Sequence, residues 1–123
     1  MTREKKDKGD RGEERAAAFL EEQGYRILER NYRCPLGEVD LIARDGATVV
    51  FVEVKARASS RFGPPQAAVG PKKQRKMTAV ALFYLKGQGW LTAPARFDVA
   101  AVSLGAGKET VTLYKNAFDA AGS

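Results

Sequence analysis

Histidine is absent from this sequence of 123 residues, and cysteine occurs once, at Cys34. The first absence removes imidazole acid–base catalysis and zinc sites built on His with Cys. The second removes an internal disulfide framework and fits a reducing compartment. No apolar run approaches the ~20 residues that a membrane-crossing helix needs. The opening residues, Met-Thr-Arg-Glu-Lys-Lys-Asp-Lys, are charged and lead into no apolar segment of the signal-peptide kind. A cytoplasmic location with no membrane partner is the expectation. Whatever chemistry the chain performs falls to carboxylates and lysines.

What is present is the mixture of an ordinary globular chain, 44% hydrophobic and 29% charged. The length suits one domain with a real core, here residues 9–123 behind a flexible charged tail over 1–8. A net charge of +6 points to an anionic partner, most simply nucleic acid. Many basic proteins are merely basic, so the distribution of the charge has to decide.

The most informative stretch is Gly37 to Arg57, which reads as two strands, Val39 to Ala43 and Thr48 to Ala56, about an Asp45-Gly46 turn. With those two residues as the loop, Asp40 faces Phe51 and Glu38 faces Glu53. Strand side chains alternate between faces. One face is then Val39, Leu41, Ala43, Val50, Val52 and Val54; the other carries Glu38, Asp40, Glu53 and Lys55 beside Ile42, Val49 and Phe51. Diagonal neighbours across antiparallel strands lie roughly 7–8 Å apart, within reach of one shared ion. Asp40 and Glu53 are such a pair, or stand directly opposite if the loop is two residues longer. An odd-length loop would send them to opposite faces.

Hard divalent cations take oxygen ligands, commonly one or two carboxylates completed by water and phosphate oxygens. Such an ion activates water and polarises a scissile phosphate. Lys55 points the same way as Glu53 and is placed to orient the nucleophile or to stabilise developing charge. The plain alternative is a cross-strand ion pair on a solvated face, worth about 0–1 kcal/mol. Against it stands the run Val49 to Val54, apolar enough to be buried on both faces, where an unpaired Glu and Lys are costly.

Asp40 followed by Glu53-x-Lys55 after a hydrophobic strand resembles the PD-(D/E)xK signature of restriction-endonuclease-like nucleases. The Gly37-Glu-Val-Asp-Leu-Ile-Ala43 and Val52-Glu-Val-Lys55 wording, with Gly9-Asp-Arg-Gly-Glu13 and Arg96-Phe-Asp-Val99, is similar to the YraN-like family. That family comprises uncharacterised bacterial proteins related to archaeal Holliday-junction resolvases. The resemblance implies a nuclease-like fold and nucleic-acid binding. It also implies a further acidic site residue at Glu13.

The rest of the chain fits around this hairpin. Asp10 to Glu13 has capping-box spacing ahead of a helix that ends at Gly24, so Glu13 reads either as a cap or as a site residue. Tyr25 to Tyr32 reads as the first strand. Ala58 to Pro65 is a breaker-rich loop, with Phe62 available for base stacking or for packing. A second helix runs from Pro71 to about Lys86 and opens with Lys72-Lys73-Gln74-Arg75-Lys76. Cations there oppose the helix dipole, so phosphate contact explains them better than helix stability does. Lys73 lies one turn before Met77 on the sheet-facing side. A strand centred on residues 96–103 follows, with Asp98 read as a structural partner of Arg96 or of neighbouring backbone. Thr110 to Tyr114 reads as an edge strand and Asn116 to Ala120 as a final helical turn.

The expected architecture is α/β, a central mixed sheet flanked by helices in the order α-β-β-β-α-β-β, the restriction-endonuclease-like core. The expected function is DNA endonuclease activity dependent on Mg²⁺ or Mn²⁺, with branched or junction DNA the substrate. Asp40, Glu53 and the Val54 carbonyl would be metal ligands, Lys55 and Glu13 further catalytic groups. Lys72, Lys73, Arg75, Lys76 and Arg57 would hold phosphates. A homodimer is expected if junctions are cut symmetrically. Two alternatives are a non-catalytic nucleic-acid-binding module and a protein-interaction domain with a structural acidic cluster.

Overall fold

The computed structural model describes residues 3–57, 69–105, 107 and 109–120. The elements are α1 (Arg3–Glu22), β1 (Arg26–Cys34), β2 (Gly37–Asp45), β3 (Thr48–Arg57), α2 (Pro71–Gln88), β4 (Ala95–Ser103) and β5 (Thr110–Phe118). The strands form one sheet in chain order, antiparallel except for the β3–β4 pair. That parallel pair needs a long crossover, and α2 provides it. The fold is the expected mixed α/β sheet in the order α-β-β-β-α-β-β.

Among the described residues, one helix covers each face of the sheet. On one side Ala16, Ala17 and Leu20 of α1 pack against Leu41, Ala43, Val50, Val52, Ala100 and Val102. On the other, Met77, Val80, Ala81, Tyr84 and Leu85, spaced as one helical stripe, pack against Ile42, Val49, Phe51, Phe97 and Val99. Gly24, at φ 93°, ends α1: the Tyr25 N–H reaches the Leu20 carbonyl and the Gly24 N–H that of Glu21. Pro71 opens α2 and the left-handed Gly89 closes it.

Several boundaries differ from the sequence reading. Helix α1 starts at Arg3, so residues 3–8 continue the helix and Asp10 lies within it instead of capping it. Lys, Arg and Glu are good helix formers and extend it toward the N-terminus. Strand β5 continues to Phe118, which replaces the expected helical turn because Phe118 stacks on Phe97 at 4.8 Å. The Ala58–Pro65 loop with Phe62 lies outside the described residues. Cys34 is a half-buried free thiol against the α2-side core.

The hairpin register also shifts. Asp45 pairs with Thr48 and the loop is Gly46-Ala47, with Gly46 at φ 61°. Asp45 is kept in the strand, where its Oδ2 accepts from Arg96 Nη1 at 3.1 Å. Val39 faces α2, whereas Leu41 faces α1, so β2 changes face at Asp40 and the even alternation expected there does not hold.

At Gly12, α1 lies tightly against β3. A Cβ built there would lie 2.7 Å from the Ala56 Cβ, an atom fixed to its strand; a Cβ at Gly9 would meet nothing within 4 Å. Gly12→Ala is therefore expected to destabilise the fold by about 1–3 kcal/mol, and Gly9→Ala to stabilise it by about 0.5–1 kcal/mol. Denaturant titration of the two variants checks this. Equal effects at both positions would mean that close packing on β3 is not what Gly12 serves.

Candidate metal and nucleic-acid site

The paired register of β2 and β3 runs from Asp45↔Thr48 to Leu41↔Val52 and stops there. Beyond it β2 stays with β1 as far as Gly37, and β3 stays with β4 as far as Arg57. The two inner strands therefore fork. Asp40 stands at the opening, where its Oδ2 accepts the Val54 backbone N–H at 2.8 Å. Continued one step past the point where the strands part, the register would set Asp40 level with Glu53, opposite instead of diagonal. The cause is the two-residue loop moving one position along.

Three carboxyls meet around this opening. Glu53 comes from the α2 face of β3 and is only 5% exposed. Its Oε2 lies 3.5 Å from Lys55 Nζ and 3.8 Å from Lys73 Nζ. Its Oε1 is buried and has no hydrogen-bond partner among the described residues. Glu13 approaches from α1, with Asp40 and the Asn31 side chain as its neighbours. Burial, then the Asp40 charge, lifts the Glu13 carboxyl to about 7, partly offset by the Asn31 hydrogen bond. The same two causes, opposed by Lys73 and Lys55, lift Glu53 to about 7. Two carboxyls that resist ionisation beside a third acid form an arrangement that a cation relieves.

The expected basic residues divide. Lys73 reaches the site, whereas Lys72, Arg75, Lys76 and Arg57 face solvent. Arg57 bonds back to the Ala56 carbonyl at 3.2 Å. Helix α2 has no acid in its first turn and no side-chain cap at Gly70, so its N-terminal N–H groups and the lysines together favour an anion. The Val54 group tied to Asp40 is its N–H. Among the described residues, no three His, Cys, Asp or Glu side chains are grouped so that they could hold a metal ion together. The donors present suit an ion that keeps several waters, as Mg²⁺ does.

The sequence matches the uncharacterised protein family UPF0102 over residues 12–102. A UPF0102 protein of Syntrophus aciditrophicus is 56% identical over 113 residues, 92% of this chain and 89% of the relative. One from Geobacter metallireducens is 46% identical over 121 residues, 98% and 99% of the two chains. The chain belongs to the UPF0102 family. The matched span of this UPF0102 chain begins at Gly12 and contains Glu13, Asn31, Asp40, Glu53, Lys55 and Lys73, hence every group at the fork.

Asn31 was not legible as a site residue. The available signal was an asparagine inside a strand-like run, a residue type depleted from strands. Arg96 and Asp98 form a separate buried network on β4: Asp98, 0% exposed, accepts from Arg96 Nε at 3.1 Å and from the Asn116 N–H at 2.9 Å. Both structural readings of Asp98 hold.

The raised carboxyls set the sign of a pH dependence. The folded UPF0102 chain binds protons at Glu13 and Glu53 more tightly than the unfolded chain does, so stability falls as pH rises from about 4.5 to about 7. In metal-free buffer, Glu53→Gln should gain stability relative to wild type across this window and show no such gain at pH 4.5. Thermal melts at four or five pH values check this. A difference independent of pH would contradict the crowding of carboxyls around Asp40.

Proposed function

We propose that this chain is a divalent-metal-dependent endonuclease of the restriction-endonuclease-like kind, acting on DNA and reading branched or junction shape. The observation that carries the reading is the fork, which gathers Asp40, Glu53 and Lys55 at one opening in the sheet. The donor set passes a simple test of fit. It is all oxygen, one buried Glu53 oxygen has no partner among the described residues, and Asp40 has no cationic side chain paired with it there. Asp40 and Glu53 would hold Mg²⁺ or Mn²⁺, with Glu13 auxiliary and the Val54 carbonyl a further oxygen. Such an ion supplies Lewis acidity toward the scissile phosphate. Lys55, kept beside Glu53, orients the attacking water or stabilises charge on the phosphate oxygens. Lys73 with Lys72, Arg75, Lys76 and Arg57 holds the backbone, which gives affinity without sequence information. Recognition of a symmetric junction would require two such sites, hence a two-fold dimer.

A non-catalytic nucleic-acid-binding module is the second reading. It is favoured by the lack, among the described residues, of three such side chains grouped to hold a metal ion, and by the two lysines that already balance Glu53. Labelled four-way junction, duplex and single-stranded DNA, incubated with Mg²⁺ or Mn²⁺, decide between them. Asp40→Asn and Lys55→Ala should each lower cleavage by about 10²-fold or more while DNA affinity persists. Removing Lys72, Arg75 and Lys76 should weaken binding to all three DNAs alike, the salt slope falling by about one unit per cation removed. Salt-sensitive binding without cleavage in any metal would establish the module. Equal cleavage by wild type and Asp40→Asn would expose a contaminating nuclease.

A further inference from the structure

Two residues other than glycine adopt left-handed backbone among the described residues, Asn31 at φ 52° and Asn116 at φ 53°. Each lies on an edge strand opposite an aspartate of the adjoining strand. Asn31 falls between the Arg30↔Leu41 and Tyr32↔Val39 pairs, which sets it against Asp40. Asn116 donates its N–H to Asp98 Oδ1, at the register break between Phe97 and Val99. Left-handed backbone costs an L residue roughly 1–2 kcal/mol, and asparagine tolerates it better than most.

We propose that Asn31 is a positioning residue for the fork, its backbone turning Asp40 out of the strand alternation and its side-chain amide holding Glu13 beside Asp40. The inference rests on the metal-site reading above and deepens it. Both strands change face at this rung: Arg30 and Leu41 line the α1-side groove, whereas Tyr32 and Val39 pack on the α2 side. The pairing sum is the same on either side of the rung, so the change is a rotation and not an inserted residue. Rotation frees the Asp40 carboxylate from either core and directs it to the Val54 N–H. Asn31 meanwhile lines the same open groove as Glu13, a space of about 440 Å³ between α1 and β1. The two functions are separable. Glycine would keep the left-handed backbone and lose the amide, whereas alanine would lose both.

Asn116 is the control, since it has the same conformation beside an aspartate whose charge Arg96 already balances. Hydrogen exchange at the Val54 amide reads the backbone role and needs neither metal nor DNA. Asn31→Ala should lose Val54 protection relative to Val52, while Asn31→Gly and Asn116→Ala keep it. Calorimetric Mn²⁺ titration reads the amide role: Asn31→Gly should bind about 10–100-fold more weakly than wild type, and Asn116→Ala unchanged. Val54 protection that survives in Asn31→Ala, or is lost equally in Asn116→Ala, overturns the backbone role. Undiminished Mn²⁺ affinity in Asn31→Gly overturns the amide role. Should wild type take up no Mn²⁺, the nuclease reading and the amide role fall together, and Val54 exchange still decides the backbone role.

Discussion

Pairing between β2 and β3 stops after Leu41↔Val52, and the Asp40 carboxylate takes the Val54 N–H that the ladder leaves over. A buried N–H without an acceptor costs about 1–3 kcal/mol, so a fork at this place is stable only with an acceptor inside it. The acceptor is an acid, and that choice concentrates charge where the sheet is open to both of its faces. Glu13 then reaches Asp40 from the α1 side and Glu53 from the α2 side. Gly12 brings α1 close enough on Ala56 for the adjoining Glu13 to take its place.

Asp98 shows what the same geometry looks like when it serves structure alone. It too stands opposite a left-handed asparagine and accepts a backbone N–H. Burying a carboxylate completely is costly unless it is paired, and Arg96 pairs it through two nitrogens while also binding Asp45 and the Tyr25 hydroxyl. That network joins β4, the hairpin tip and the end of α1 into one unit. At Asp40 the nearby cations, Lys55 and Lys73, sit on Glu53 instead. One aspartate is electrostatically finished by the protein and the other is not, and the unfinished one lies at the fork.

The hairpin, both helices and the element order could be read from periodicity and turn residues, because those signals are local. Met77, Val80, Ala81, Tyr84 and Leu85 announce a buried stripe whatever else the chain does. The features that escaped were set by tertiary contact. Asp45-Gly46 is a sound turn signal, yet Arg96, 51 positions away, holds Asp45 in the strand and moves the loop along by one. Asn116 to Phe118 was drawn into β5, where Phe118 stacks against Phe97. Glu53 and Lys55 could be grouped because alternation holds along β3, whereas Asp40 joins them where the alternation of β2 breaks. Asn31 was not legible, because a left-handed residue breaks that alternation and leaves no periodic trace.

Charge divides the two faces of the fork in a way that composition cannot show. The groove on the α1 side is lined by Asp10, Glu13, Glu14 and Glu21, with Arg30 the one cation among its described lining residues. The α2 side presents Lys73 at the site and Lys72, Arg75 and Lys76 around a helix N-terminus that lacks acids. A polyanion is repelled by the first surface and drawn to the second, over distances of about 10 Å at moderate salt. Under the nuclease reading, the DNA backbone therefore approaches along α2 and meets Glu53 and Lys55 before Glu13. The contact between Lys73 and Glu53, at 3.8 Å, is long for an ion pair, and Lys73 is 39% exposed. A phosphate arriving along α2 competes for that lysine at little cost. Under the same reading, its departure would leave Glu53 with less positive charge nearby and so favour a cation there once the phosphate is bound.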